Sequence, residues 1–295
     1  MQAIVRRCAG LMQVTMGTTA AESLSCAGNV FIGQTEAPIM IRPYLDRMTT
    51  SEIAAVMTGG FSTIAGTVFG IYVSFGACAN HLLAASIMSA PAALAISKLF
   101  YPETKKSKTK TMEDLKLLPS KEKNALEAAA NGATLGIFLL ANIVANLIAF
   151  LAFLEFFNNV IKWLGAMVGH DDITFEILLS WLFYPLAFIM GSGLEHQEIL
   201  LVSELMGVKT FFNEFIAYSR MSDYLREGRL SPRAHLIATY ALCGFSNLCA
   251  IGIQMGGLSA LAPRRKPQLA QVAFRAFVAG SIACFMTACV AGNSF

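Results

Sequence analysis

Five stretches of this sequence approach the roughly 20 apolar residues needed to cross the hydrocarbon core of a bilayer. They are Ile53 to Phe75, Leu82 to Phe100, Ile137 to Leu154, Leu236 to Leu258 and Val272 to Ala291. Each reads as a crossing helix. The whole chain is 55% hydrophobic and 14% charged, outside the composition of water-soluble domains, so the bilayer is its expected solvent. A sixth stretch, Phe175 to Met190, is apolar but short and carries Pro185. It either lies in the interface, re-enters or spans, and its placement stays open.

Charge distribution orients these segments. Lys105, Lys106, Lys108, Lys110, Lys116, Lys121 and Lys123 crowd one loop, and Arg264, Arg265 and Lys266 fill the turn before the last crossing. Basic loops favour the cytoplasm, so both clusters are expected on one side, which holds if Phe175 to Met190 does not cross. Arg220, Arg226, Arg229 and Arg233 favour the opposite choice, and their neighbours Asp223 and Glu227 offset this only in part. The run Leu117 to Ala133, opening at Pro119 and Ser120 with Glu122 following, is expected as a separate surface helix before the third crossing. Met1 to Met16 shows no uninterrupted apolar run with a cleavage site, hence no secretory signal.

The chain also repeats itself. Gly60-Phe61-Ser62-Thr63 and Gly244-Phe245-Ser246-Asn247 each stand inside an apolar run. Upstream of each comes a polar interruption, Gly33-Gln34-Thr35-Glu36 in one case and Asn213-Glu214 in the other. The order is a hairpin and then a crossing helix, twice, with the two crossings running in opposite directions. Inverted repeats of this kind mark secondary transporters.

A charged side chain near the bilayer centre costs about 2.5 to 3.5 kcal/mol even on insertion scales, so Glu36 and Glu214 need partners, water or a use. The glycines and proline between Gly28 and Pro38 make a hairpin tip whose arms are too short to span. Such a tip exposes carbonyls that, with Asn and Thr oxygens, suit a sodium ion, while Gln, Thr and Glu suit a polar solute. The bland alternative pairs Glu36 with Arg42. Glu214 has Lys209 and Arg220 as its nearest basic residues. Asn142 and Asn146, one turn apart, read as interhelical packing glue. Cys78, Cys243, Cys249, Cys284 and Cys289 read as buried free thiols. Neither they nor the four histidines show a metal-ligand spacing, and no hydrolytic motif is present.

Gly33 to Pro38, Arg42-Pro43-Tyr44, Met57 to Gly66, Asn213-Glu214-Phe215 and Ala241 to Phe245, in that order, resemble the concentrative nucleoside transporters, with the animal branch nearest. Tyr101-Pro102-Glu103, Ala141-Asn142-Ile143 and Pro263 to Lys266 fit as well. The resemblance implies an all-α integral membrane protein of inverted repeats, each a re-entrant helical hairpin followed by a broken transmembrane helix. It implies that Gln34, Thr35 and Glu36, with Gly33 and Val68 beside them, contact the nucleobase, and that Glu214, Phe245 and Asn247 hold the ribose. Sodium maps onto the side chains of Asn29 and Thr63 and the carbonyls of Ile32 and Ile64.

It further implies a plasma-membrane homotrimer that imports nucleosides with sodium, using no other cofactor and no nucleic acid, in which a transport domain slides across a scaffold. The expected parts are residues 1–76 and 166–258 as the two transport repeats, 77–165 as largely scaffold, and 259–295 as the final crossing. Gly33, Thr67 and Val68 resemble the purine-accepting members. Two departures stand out. Cys249 and Ala250 replace a usual Ser-Ser, and the family carries further crossing helices ahead of the first hairpin, so the chain reads as N-terminally shortened. A shortened subunit that modulates full-length copies without transporting, a membrane enzyme and a passive channel are the rival readings.

Overall fold

The computed structural model describes residues 2–109, 124–167, 169 and 174–294. Among these the chain is helical throughout, from α1 (Gln2–Met16) to α12 (Lys266–Asn293).

Two short segments open each half of the fold. α2 (Ala20–Asn29) is followed by a turn and a 3₁₀ helix, Ala37–Arg47, with Pro43 inside it. Ten residues of α-helix extend about 15 Å, half of a hydrocarbon core, so this hairpin enters and returns without crossing. The sequence encodes both arms: Thr19 and Glu22 form a capping box at the start of α2, and Pro38 sits in the first turn of the 3₁₀ helix, where its missing N–H costs nothing. The second hairpin is α8 (His196–Phe211) and α9 (Glu214–Arg226), joined through Phe212 and Asn213.

Each hairpin leads into a helix in two pieces. α3 (Thr50–Ser62) and α4 (Gly66–Ser74) are separated at Thr63–Ala65, and α10 (Pro232–Leu242) and α11 (Leu248–Leu261) at residues 243–247. The apolar runs read as continuous crossings, Ile53 to Phe75 and Leu236 to Leu258, are therefore broken in their middles. α5 (Ala79–Phe100) follows the first broken helix and α12 the second. By length and composition Thr50–Ser74, Ala79–Phe100 and Pro263–Asn293 are able to cross a membrane.

The two halves are inverted. The Thr49 hydroxyl donates to Glu103 at the start of the Lys-rich loop, and Arg265 donates to the Met48 carbonyl at 2.7 Å. The start of the Lys-rich loop and Arg265 thus both adjoin the base of the first hairpin, at one end of the bundle. The base of the second hairpin lies at the opposite end, where a Cβ on Gly76, just past α4, would touch Leu225.

Two apolar clusters show how the pieces interlock. One gathers the second hairpin and α10 with Ile64, Val68 and Tyr72 at the first break and along α4. The other gathers the first hairpin and α3 with Ala250 and Leu258 of α11. Each hairpin thus packs against the first half of its own broken helix and the second half of the other one.

The structure corrects two sequence expectations here. Residues 125–133 do not form a separate surface helix; they open α6 (Ala125–Ala166), which Asn124 caps by accepting from the Glu127 amide at 2.8 Å. Residues 117–123 lie outside the described part. All seven cysteines are free, but Cys78 is exposed and Cys249 and Cys289 are half-buried, so only Cys243 and Cys284 of the five fit the buried-thiol reading. The Phe175–Ile189 run is helix α7, packed along α8. α6 meets the rest chiefly through α7 and α9 and exposes Ile137, Ile148, Phe153 and Trp163.

Candidate functional site

The two hairpin tips and the two helix breaks meet in the middle of the bundle. At the second break, Gly244 adopts φ +152° with no room for a Cβ, which would stand 2.9 Å from the Phe61 carbonyl oxygen and against Cys284. This close approach lets the Phe245 N–H donate to the Thr63 carbonyl at 3.3 Å, so the two breaks are joined backbone to backbone.

Glu214 begins α9, capped by Asn213, whose side chain accepts from the Ile216 amide at 2.9 Å. A carboxylate at a helix N-terminus is favoured by the dipole there. Glu214 is 1% exposed. It accepts from the Asn247 amide at 2.8 Å and from the Tyr72 hydroxyl at 3.2 Å. Asn247 uses its oxygen to cap α11 through the Ala250 amide at 2.7 Å. Tyr72 stacks on Tyr218, with ring centres 4.5 Å apart, and tilts against Phe215. Neither basic residue near Glu214 in sequence pairs with it: Arg220 bridges Glu176 and Glu204, and Lys209 donates to the Ala241 carbonyl.

At the first tip, a Cβ on Gly33 would displace the end of the Glu36 side chain and crowd Ala65. Gln34 is buried against Gly60, and its amide oxygen has no partner among the described residues. Thr35 rests against Gly257 of α11. Glu36 is half-buried and forms no ion pair with Arg42. Six residues of 3₁₀ helix separate these two by about 12 Å along the axis, which rules out the bland alternative of a Glu36–Arg42 pair.

The same tip faces the first break. The Phe31 carbonyl oxygen lies 2.7 Å from where a Cβ of Gly66 would be. Asn29, fully buried, turns its amide nitrogen to the Gly33 carbonyl at 3.3 Å and its oxygen to the Gly60 amide at 3.2 Å. The Thr63 hydroxyl donates to the Gly59 carbonyl at 2.9 Å, and Ile64 is buried beside it. Ile32 follows Phe31 in the same tip. These are neutral oxygens of the hard type that suits an alkali cation better than a transition metal.

The predicted residues thus fall into two adjoining groups. Asn29, Ile32, Gly33, Gln34, Glu36, Thr63 and Ile64 gather at the first break, while Glu214, Phe245 and Asn247 gather at the second. Val68 lies one turn before Tyr72 on α4, and Thr67 is exposed. The side chains of Asn142 and Asn146 lie outside the described part. Two contributors escaped the sequence. Tyr72 is one, and Gln254 is the other: fully buried, it sets its amide nitrogen beside Gly60, donates to the Met57 carbonyl at 3.0 Å, and has an oxygen with no partner among the described residues.

Comparison with known families agrees with this architecture. Residues 81–292 match the model described as Na+ dependent nucleoside transporter C-terminus, and residues 1–79 match a nucleoside recognition (Gate) model. The chain belongs to the sodium-dependent nucleoside transporter family. Solute carrier family 28 member 3 of Eptatretus stoutii is 52% identical over 99% of this chain and 44% of its own length. Sodium/nucleoside cotransporter 2 of Rattus norvegicus is 49% identical over 99% of the chain and 46% of its length. The chain therefore spans less than half of these curated relatives. Among solved structures, CNTnw in an inward-facing substrate-bound state superposes with a TM-score of 0.91 at 40% identity, covering 99% of this chain and 68% of that one. CNTnw is also represented in outward-facing and intermediate states. The family is one of transporters, not of enzymes.

Proposed function

We propose that the chain forms the binding core of a sodium-coupled symporter that carries nucleosides into the cell across the plasma membrane. The observation that carries this reading is the buried Glu214 carboxylate, held by Asn247 and Tyr72 where the second hairpin meets the second break, one backbone hydrogen bond away from the first break. In this reading Glu214, Asn247 and Phe245 take the ribose, a carboxylate being the natural acceptor for sugar hydroxyls. Gln34, Thr35 and Glu36, with Gly33 and Val68, face the nucleobase, and the unpartnered oxygens of Gln34 and Gln254 offer it acceptors. The Thr67 and Val68 pair favours acceptance of purine as well as pyrimidine nucleosides.

Sodium binds between the first tip and the first break, through Asn29, Thr63 and the carbonyls of Ile32 and Ile64. The ion orders the tip that carries Gln34 to Glu36, which couples its binding to that of the nucleoside. No other cofactor is required. The several states seen for CNTnw support movement of the two hairpin repeats, 1–76 and 166–258, against segment 77–165, with 259–295 as the final crossing. The exposed apolar flank of α6 fits a scaffold surface between the subunits of a homotrimer embedded in lipid.

The test is uptake of uridine and adenosine into proteoliposomes holding the purified chain, with and without an inward sodium gradient, beside Glu36→Gln and Glu214→Gln. Uphill, sodium-dependent uptake lost in both variants is the expected result. Binding without uptake would favour a subunit that modulates longer copies, and absence of both refutes the proposal.

A further inference from the structure

One buried charge takes no part in the site as described. Lys209 is 0% exposed, its ammonium donates to the Ala241 carbonyl at 2.7 Å, and it stands 5.7 Å from the ring centre of Phe285. Among the described residues it has no ion pair within 4 Å. An ammonium so placed is costly to desolvate, and a methionine would fill the same space without that cost, so packing alone does not account for it.

The internal repeat gives Lys209 a counterpart. It lies in the last turn of α8, the first arm of the second hairpin, as Asn29 ends α2, the first arm of the first. Each reaches from its hairpin to the first half of the broken helix that follows. Asn29 meets α3 at Gly60, and Lys209 meets α10 at Ala241. The carbonyl end of a helix carries unsatisfied acceptors and the negative end of the dipole, so both breaks invite a cation. At the end of α3 the side-chain donors among the described residues are neutral: the Ser62 and Thr63 hydroxyls reach Gly59, the Gln254 amide reaches Met57 and the Cys284 thiol reaches Ser62. At α10 the Tyr218 hydroxyl reaches the Thr239 carbonyl, and the charged donor among the described residues is the Lys209 ammonium on the Ala241 carbonyl. The Glu214 carboxylate lies within range of its charge.

We propose that Lys209 is a tethered cation that takes, at the second break, the place a sodium ion takes at the first. The half of the site around Glu214 is then charged permanently and needs no ion of its own, while the half around Gln34 to Glu36 is assembled only when sodium arrives. Sodium dependence enters through one break and not through both. This inference rests on the reading of the first break as the sodium site.

The experiment measures equilibrium binding of uridine and adenosine to the purified full chain in lipid nanodiscs across a range of sodium concentrations. Wild type is compared with Lys209→Arg, which keeps the charge, and Lys209→Asn, which copies the side chain of the first hairpin. Lys209→Arg is expected to retain the wild-type sodium dependence. Lys209→Asn is expected to need about tenfold more sodium for half-saturation, the loss of roughly one close charge interaction, and to show a steeper sodium dependence as an ion enters the vacated place. A structural cap alone would lower the melting temperature without moving the slope. If Lys209→Asn does not fold, Lys209→Met carries the test: loss of nucleoside binding that sodium does not restore supports the proposal. A folded Lys209→Asn or Lys209→Met with wild-type affinity and slope overturns it. Failure of the wild-type chain to bind nucleoside in sodium would instead refute the functional reading beneath it.

Discussion

Replacing Gly244 with alanine tests whether the two helix breaks act as one unit. The glycine stands at φ +152°, where an L side chain is strained by about 1 to 3 kcal/mol. The added Cβ would meet the Phe61 carbonyl oxygen at 2.9 Å and the Ser62 carbonyl carbon at 3.1 Å, both backbone atoms that cannot rotate away. The break must therefore move, and the Phe245 to Thr63 hydrogen bond, worth about 1 kcal/mol, goes with it. The expected total is about 2 to 4 kcal/mol of stability. Gly252→Ala, on α11 of the same broken helix, is the control, since its Cβ meets nothing within 4 Å and alanine gains about 0.5 to 1 kcal/mol in helix propensity. Thermal melting of the two purified variants, with and without sodium and nucleoside, reads the difference. Gly244→Ala should melt well below wild type and lose most of its stabilisation by either ligand, whereas Gly252→Ala should match or exceed wild type. Equal melting of the two variants, with ligand stabilisation intact in both, would refute the reasoning.

Three further outcomes follow from the same geometry. Tyr72→Phe removes a donor to the buried Glu214 carboxylate but keeps the ring stacked on Tyr218. Nucleoside affinity should fall about tenfold, for a bond to a charged group worth about 1.5 kcal/mol, with half-saturating sodium unchanged; equilibrium binding checks both. Asn29→Ala removes the amide that links Gly33 to Gly60, and half-saturating sodium should rise at least tenfold while nucleoside affinity at saturating sodium recovers, which a sodium titration decides. Arg220→Met leaves Glu176 and Glu204 without their shared partner. A cost of about 3 kcal/mol, the low end for a buried pair because Arg220 is 29% exposed, should appear as a lower melting temperature, and an unchanged melt would show the cluster to be unimportant.

Much of the site was legible because its signals are local. Gly33 and Pro38 break helices wherever they stand, Asn213-Glu214 interrupts an otherwise apolar segment, and a carboxylate within an apolar run requires a use. Nearness in the chain is a weaker guide to which charges pair. Glu36 and Arg42 are near enough in sequence to pair, but the 3₁₀ helix between them draws them apart. Lys209 and Arg220 bracket Glu214 in the chain, yet each points to a different element. The surface helix expected before the third crossing merges into α6, because periodicity does not show where one helical axis stops and the next begins.

The sequence by itself determined that the chain lives in a bilayer, that it repeats a hairpin and a helix, and that Glu36, Glu214 and the two Gly-Phe-Ser motifs mark its candidate site. Those follow from composition, turn chemistry and the cost of a charge in hydrocarbon, all of which act on neighbours in the chain. Only the tertiary structure decided that the broken halves are exchanged, so that α4 packs with the second hairpin and α11 with the first. That exchange brings the Tyr72 hydroxyl to Glu214 and Gln254 to Gly60. Residues so far apart in the chain meet because apolar faces must be covered, and which face covers which is a property of the assembled bundle.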